Sequence, residues 1–109
     1  KRKLIVFINK NKLEGEDTFI PYKNTQERLI FHIRFHLADE MTYNFTNNKK
    51  NIILKTKLNN IWLFKSEKEL IVEDSILVDN NITKITKQIV MKGIIVDRKI
   101  IEKWSLEKI

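Results

Sequence analysis

Along LIFHIRFHL (29–37), Leu29, Phe31, Ile33, Phe35 and Leu37 alternate with Ile30, His32, Arg34 and His36. A period of two sends the first set to one face of a β-strand and the second to the other. No helix gathers those five apolar residues on one side. The same signal, weaker or stronger, recurs along the chain. LIVFI (4–8) is a continuous branched run of the kind that suits a strand buried on both faces. TYNFT (42–46), IILKTKL (52–58) and IWLFK (61–65) follow, then LIVED (70–74) and SILVD (75–79), then ITKITKQIVMKGIIV (82–96) and IIEKWSLEK (100–108). Gly93 predicts a bulge or bend in the long strand. Asn-rich punctuation at 47–51, 59–60 and 80–81 separates the runs. Strands spaced about ten residues apart with such turns predict an antiparallel sandwich or open barrel of eight to ten strands, the sandwich being the expected fold, with at most a single helical turn.

Length and composition narrow the picture without deciding it. The chain has 109 residues, two glycines, one proline and no cysteine. It therefore reads as one β-sandwich domain over 1–109, and disulfide frameworks and thiolate chemistry are excluded. No apolar run approaches the ~20 residues of a membrane-spanning helix. KRKLIVFINKNK is basic and then apolar, but the apolar part is too short for a signal peptide; a strand that begins abruptly suggests a piece of something longer. The formal net charge is +7. Scattered lysines in an Ile- and Asn-rich chain make compositional bias a better account than a surface for nucleic acid, an anionic membrane or an acidic polymer.

The chemistry on offer is sparse. Residues four apart on a strand lie roughly 13 Å apart. His32 and His36 cannot share a metal, whose His nitrogens sit at about 2.0–2.1 Å. What remains is a polar, partly cationic row, His32, Arg34 and His36, suited to an interface or to the carboxylates or sulfates of an acidic substrate. Glu14, Glu16 and Asp17 in LEGEDTF (13–19) cluster in sequence without the spacing of a calcium loop. A turn with Gly15 at a bulge is expected there, and VED (72–74) reads as solvated. Trp62 with Phe64, and Trp104 with Leu106, share strand faces and read as core. Asn44-Phe45-Thr46 and Asn81-Ile82-Thr83 fit the glycosylation sequon. No phosphate loop, serine elbow, HExxH or complete catalytic constellation is present.

Taken in order, KLEGEDTF, RLIFHIRFHLADE, NIWLFKSEKELIVEDSILVDNN, TKQIVMKG and IIEKWSLEKI resemble the end of bacterial heparinase II/III-like proteins, from about Arg2 to the last residue. The family pattern has an L-x-G-x-D turn, I-R-F-H-L-H-P, a G-W-x-F strand, an L-x-x-E-x-S-x-Y/L strand pair, Q-Q-I-V and a terminal W-x-L. Here Ala38 and Asp39 replace the second histidine and the proline, and Lys87 replaces the first glutamine. The resemblance implies a polysaccharide lyase with an N-terminal (α/α) toroid and C-terminal antiparallel sheets, which cleaves uronic-acid-containing polymers by β-elimination. It implies a bacterial periplasmic setting and a divalent metal bound upstream. The family's tyrosine, Asn/Glu and metal-binding motifs lie before the matched stretch, and neither Tyr22 nor Tyr43 falls in one. No catalytic, cofactor-binding or metal residue is therefore assigned in this chain. The expected role is that of a scaffold or accessory module without turnover of its own. Its expected contacts are the upstream toroid and β-domain strands, acidic polysaccharide through the parent enzyme, and a second copy of the fragment; no membrane or nucleic-acid partner is expected. A stand-alone carbohydrate- or nucleic-acid-binding β-module is the alternative.

Overall fold

The computed structural model describes residues 1–21, 29–46, 48–95 and 98–109; Tyr22 and the side chains of Leu29 and Asp79 lie outside the described residues. Nine strands form two antiparallel sheets among them. The strands are β1 (Arg2–Phe7), β2 (Lys12–Phe19), β3 (Leu29–His36), β4 (Thr42–Phe45) and β5 (Asn51–Lys55), followed by β6 (Ile61–Ser66), β7 (Leu70–Asp79), β8 (Ile82–Ile95) and β9 (Ile100–Lys108). One sheet runs β1-β2-β9-β6-β5-β4 and the other β3-β8-β7. A single 3-10 turn, Ile8–Lys10, is the only helical element among the described residues. The all-β sandwich read from the alternation is thus the fold.

Alternation sets which side chains meet between the sheets. Phe31 and Ile33 of β3, Ile52 and Leu54 of β5, Phe64 of β6, Leu70 of β7, Ile89, Met91 and Ile95 of β8, and Trp104 of β9 make one buried cluster. Phe35 packs half-buried against it, with its ring edge on Trp104 and tilted over Phe64. His32, Arg34 and His36 face away and are exposed. Phe31→Ala should therefore cost about 3–5 kcal/mol and Ile33→Ala about 2–5. His32→Ala and His36→Ala should stay within about 0.5 kcal/mol. Denaturant melts of the four variants test this, and the reverse ranking would mean that the strand is flipped.

Turns fall at the asparagines for a local reason. Asn11, Asn59, Asn80 and Asn81 all have positive φ, which asparagine tolerates better than most side chains. Asn80 and Asn81 together form the two-residue, doubly positive-φ link between Asp79 and Ile82 that matches strand twist in a hairpin.

Four local expectations are corrected. The apolar run at 4–8 is not a strand buried on both faces: among the described residues β1 is an edge strand paired only with β2, and Leu4, Val6 and Ile8 are exposed. Residues 52–58 end their strand at Lys55, because Thr56 starts a turn that Asn59 closes with positive φ. LIVED and SILVD are one unbroken strand, β7, pairing with β8 along its whole length. Neither glycine makes a bulge or turn. Gly15 lies within β2 opposite Leu4 and Trp104, and Gly93 lies within β8 opposite Phe31, both in regular register and without positive φ. Glycine is needed for space. A Cβ at Gly15 would fall inside the Trp104 ring, and one at Gly93 inside the Phe31 ring.

Candidate functional site

The two glycine seats organise the polar interior. Leu13, Gly15 and Asp17 point inward from β2, whereas Glu14 and Glu16 alternate to the outer face, so the acidic cluster of the sequence is split in two. Trp104 lies over Gly15, and its indole Nε1–H donates to Asp17 Oδ2 at 3.1 Å. Arg2 reaches in from β1 and donates to both oxygens of Asp17, at 2.7 and 3.0 Å. Its guanidinium also lies over the Phe35 and Trp104 rings. The hydrogen bond to Asp17 raises the Arg2 pKa above the ordinary arginine value, against a smaller opposing effect of burial. Directly opposite Asp17 in the β2/β9 register stands Glu102, whose side chain is 3% exposed. Lys68, from the turn between β6 and β7, meets Glu102 at 2.6 Å with its ammonium over the Phe31 ring. Among the described residues no buried side-chain polar atom lacks a partner.

This pair of buried carboxylates escaped the sequence reading. Its signal was present in IIEKWSLEK: Ile100, Glu102, Trp104 and Leu106 share a strand face, so a carboxylate sits among apolar neighbours. Two covered carboxylates, each held by its own cation, form a structural centre.

The polar row lies on the outer face of the three-stranded sheet. His36, Gln88 and Glu73 stand in line across β3, β8 and β7, as do Arg34, Val90 and Ile71. Side chains of the two outer strands meet over the middle one. Arg34 Nη1 donates to Glu73 Oε2 at 2.9 Å, and His36 Nδ1 shares a hydrogen bond of 2.9 Å with Ser75 Oγ. Val90 and Gln88 are buried beneath these bridges. The VED carboxylates are therefore exposed but paired, Glu73 with Arg34 and Asp74 with Lys87. His32 faces Lys92 in the register and belongs to neither bridge. The His36–Ser75 contact has the distance of a base and a nucleophile. It lacks what such a pair requires, because no group among the described residues orients the second ring nitrogen. Three His, Asp, Glu or Cys side chains placed to hold a metal ion are not found among the described residues.

Two further features complete the surface. A shallow groove of ≈ 300 Å³ on the outer face of the larger sheet sets Lys3, Lys65 and Lys103 among Glu14, Glu16 and Glu67, and its charges balance. Beyond the end of β3, the β7–β8 hairpin projects with Ile76, Val78 and Ile85 exposed on one face. Lys84 on this arm is 3.0 Å from Asp39, and that hydrogen bond is the main cause lowering the Asp39 pKa below the usual carboxylate range. A depressed carboxylate contributes stability above its unfolded value and loses it as pH falls through the folded one. An NMR titration should place the Asp39 carboxyl below an ordinary aspartate, and Lys84→Met should return it. An ordinary value in the unmodified chain would remove the tie. Asn44 and Asn81, the two sequon asparagines, are both exposed. Trp62, Phe64, Trp104 and Leu106 all face the core, as their spacing indicated.

No curated protein and no solved structure matches the chain. The family model described as heparinase II/III-like, C-terminal, matches residues 1–102. The match takes in Gly15, Asp17, Phe31, Gly93 and Glu102, the residues that build the interior just described, along with nearly the whole strand framework. The chain belongs to the heparinase II/III-like family, in the C-terminal region of that family.

Proposed function

We propose that this chain is the structural β-sandwich of a heparinase II/III-like polysaccharide lyase, supporting β-elimination by the parent enzyme without supplying a reacting group. In that reaction a base removes the proton at C5 of a uronic acid and an acid protonates the leaving oxygen, with the substrate carboxylate neutralised. One observation carries the proposal: the residues that match the family pattern are engaged in packing. Gly15, Asp17 and Trp104 form one seat, Gly93 and Phe31 another, and Ile89 and Val90 are fully covered.

The face bearing His32, Arg34 and His36 is the contact to the rest of the parent. Support comes from its rim. Ile30 and Ile94 stand opposite each other at one end, 59% and 45% exposed, and Ile71 and Leu77 flank the row on β7. Arginine suits such a contact because its planar fork meets carboxylates bidentately.

Two measurements test the reading. The purified chain, offered heparin-type or alginate-type polymers, should generate no ultraviolet absorbance from an unsaturated product. Absorbance that His36→Ala abolishes would overturn the structural role. The pair Ile30→Lys and Arg34→Glu should lower the melting temperature of the longer lyase by clearly more than the small loss that breaking the exposed Arg34–Glu73 pair causes in the isolated chain. Equal behaviour in both would make the row an ordinary solvated face.

A further inference from the structure

On β3, β7 and β8 the cations are matched almost one by one. Arg34 meets Glu73, Lys84 meets Asp39 and Lys87 meets Asp74. Lys92 is the remaining lysine or arginine of these three strands. It is exposed, and so is His32, which stands opposite it in the β3/β8 register. Among the described residues neither side chain makes a hydrogen bond or an ion pair. One step before β7 the β7/β8 register brings Glu69 level with Lys92, yet no ion pair joins the two.

The ladder makes His32 and Lys92 close neighbours. Leu37 N–H donates to Lys87 O at 2.9 Å, one step beyond β3 in the same register. Bonded and unbonded pairs alternate along an antiparallel ladder, so His32 and Lys92 form an unbonded pair, with Cα atoms about 4.5 Å apart and side chains at their closest. Two nitrogen donors so placed repel each other when both are charged. They also have the spacing to hold the two oxygens of one carboxylate. Ile30 and Ile94 form the next unbonded pair on this face, and Ile71 lies on the other side, across from Val90; all three isoleucines are exposed.

Charge and rim sort the possible occupants. A second copy presenting the same patch about a two-fold axis would stack these donors on one another. A sugar chain is held by many hydroxyl hydrogen bonds and by stacking on aromatic rings, and here the pair is flanked by isoleucines instead. An apolar protein surface that carries one carboxylate matches both the charge and the rim. We propose that His32 and Lys92 together hold an aspartate or glutamate carboxylate from the rest of the parent, on a surface that otherwise covers Ile30, Ile71 and Ile94. With this face taken as the contact to the parent, as proposed above, the carboxylate gives that contact its chemistry. Charge-assisted hydrogen bonds are the strong ones, and covering by isoleucine strengthens them further by lowering the local dielectric.

A zero-length carbodiimide joins an amine to a carboxylate only where the two touch. Applied to the longer lyase, it should link Lys92 to an Asp or Glu outside these 109 residues, read by mass spectrometry as a joined pair of peptides. Lys84, 3.0 Å from Asp39, is the internal standard for the reagent. Lys92→Glu should lower the melting temperature of the longer lyase. It should not lower that of the isolated chain, because there it relieves the repulsion across from His32. Lys92 left free while Lys84 is linked overturns the proposal. So does a link to Glu69 or to a second copy, or to an added alginate-type polymer, which would give the patch to substrate. If Ile30→Lys with Arg34→Glu still destabilises the longer lyase in those cases, the face remains the contact and only its carboxylate is lost. If that pair has no added effect there either, the contact falls as well.

Discussion

Trp104→Ala lowers the stability of the chain by about 3–5 kcal/mol, the usual loss for a large aromatic deleted from a core. A domain of this size has only about 5–15 kcal/mol to lose, so the variant approaches unfolding at room temperature. Three losses combine. The ring leaves its seat on Gly15, its stacking on Phe64 and its edge contact with Phe35 vanish, and Asp17 forfeits an indole donor. Trp104→Phe separates them, since it keeps a ring over Gly15 and removes the N–H. It should cost about 1–3 kcal/mol, the range for a buried acceptor that loses a partner. Gly15→Ala completes the set. At an ordinary strand position that change is neutral or favourable; here its methyl enters the ring and should destabilise by about 1–3 kcal/mol through overpacking. Urea melts of the three variants rank them, and a stabilised Gly15→Ala would show that Trp104 does not rest there.

Lys68→Met should cost on the order of 3 kcal/mol, because it leaves Glu102 charged, covered and without its cation. The methionine retains the stem over Phe31, so little packing is lost. The double variant Lys68→Met, Glu102→Met should recover most of that loss, since an apolar pair of similar volume replaces two ions that were costly to desolvate. Asp17 makes the effect sharper. It lies directly opposite Glu102, and like charges facing each other across a ladder are unfavourable, so each needs its own counter-ion. A double variant as unstable as the single one would assign the role of Lys68 to packing and not to charge.

These residues also show where reading the chain as a string stops. A period of two is a local property: it follows from backbone geometry and from the need to cover one face. It determined the class of fold, the inward course of Phe31, Ile33 and Phe35, the outward course of His32, Arg34 and His36, and the impossibility of a metal shared by the two histidines. The asparagine turns were legible for the same reason, since a left-handed φ is decided by the residue that adopts it. The ordered series of motifs was enough to point to the family, because it spans almost the whole chain.

Partners across strands were not legible. LIVFI has the composition of a central strand, and only the sheet order places it at an edge with its apolar side chains uncovered. Gly15 and Gly93 looked like turn residues because glycine serves both flexible and crowded backbone. Trp104 and Phe31, distant in sequence, decide that it is crowding. Asp17 stood out only as part of an acidic cluster and Glu102 not at all; pairing sets them face to face, and Arg2 and Lys68 arrive from other segments to neutralise them. Local geometry is encoded within a few residues, whereas contact between strands depends on which segments the whole chain brings together, and that is where tertiary structure decided the rest.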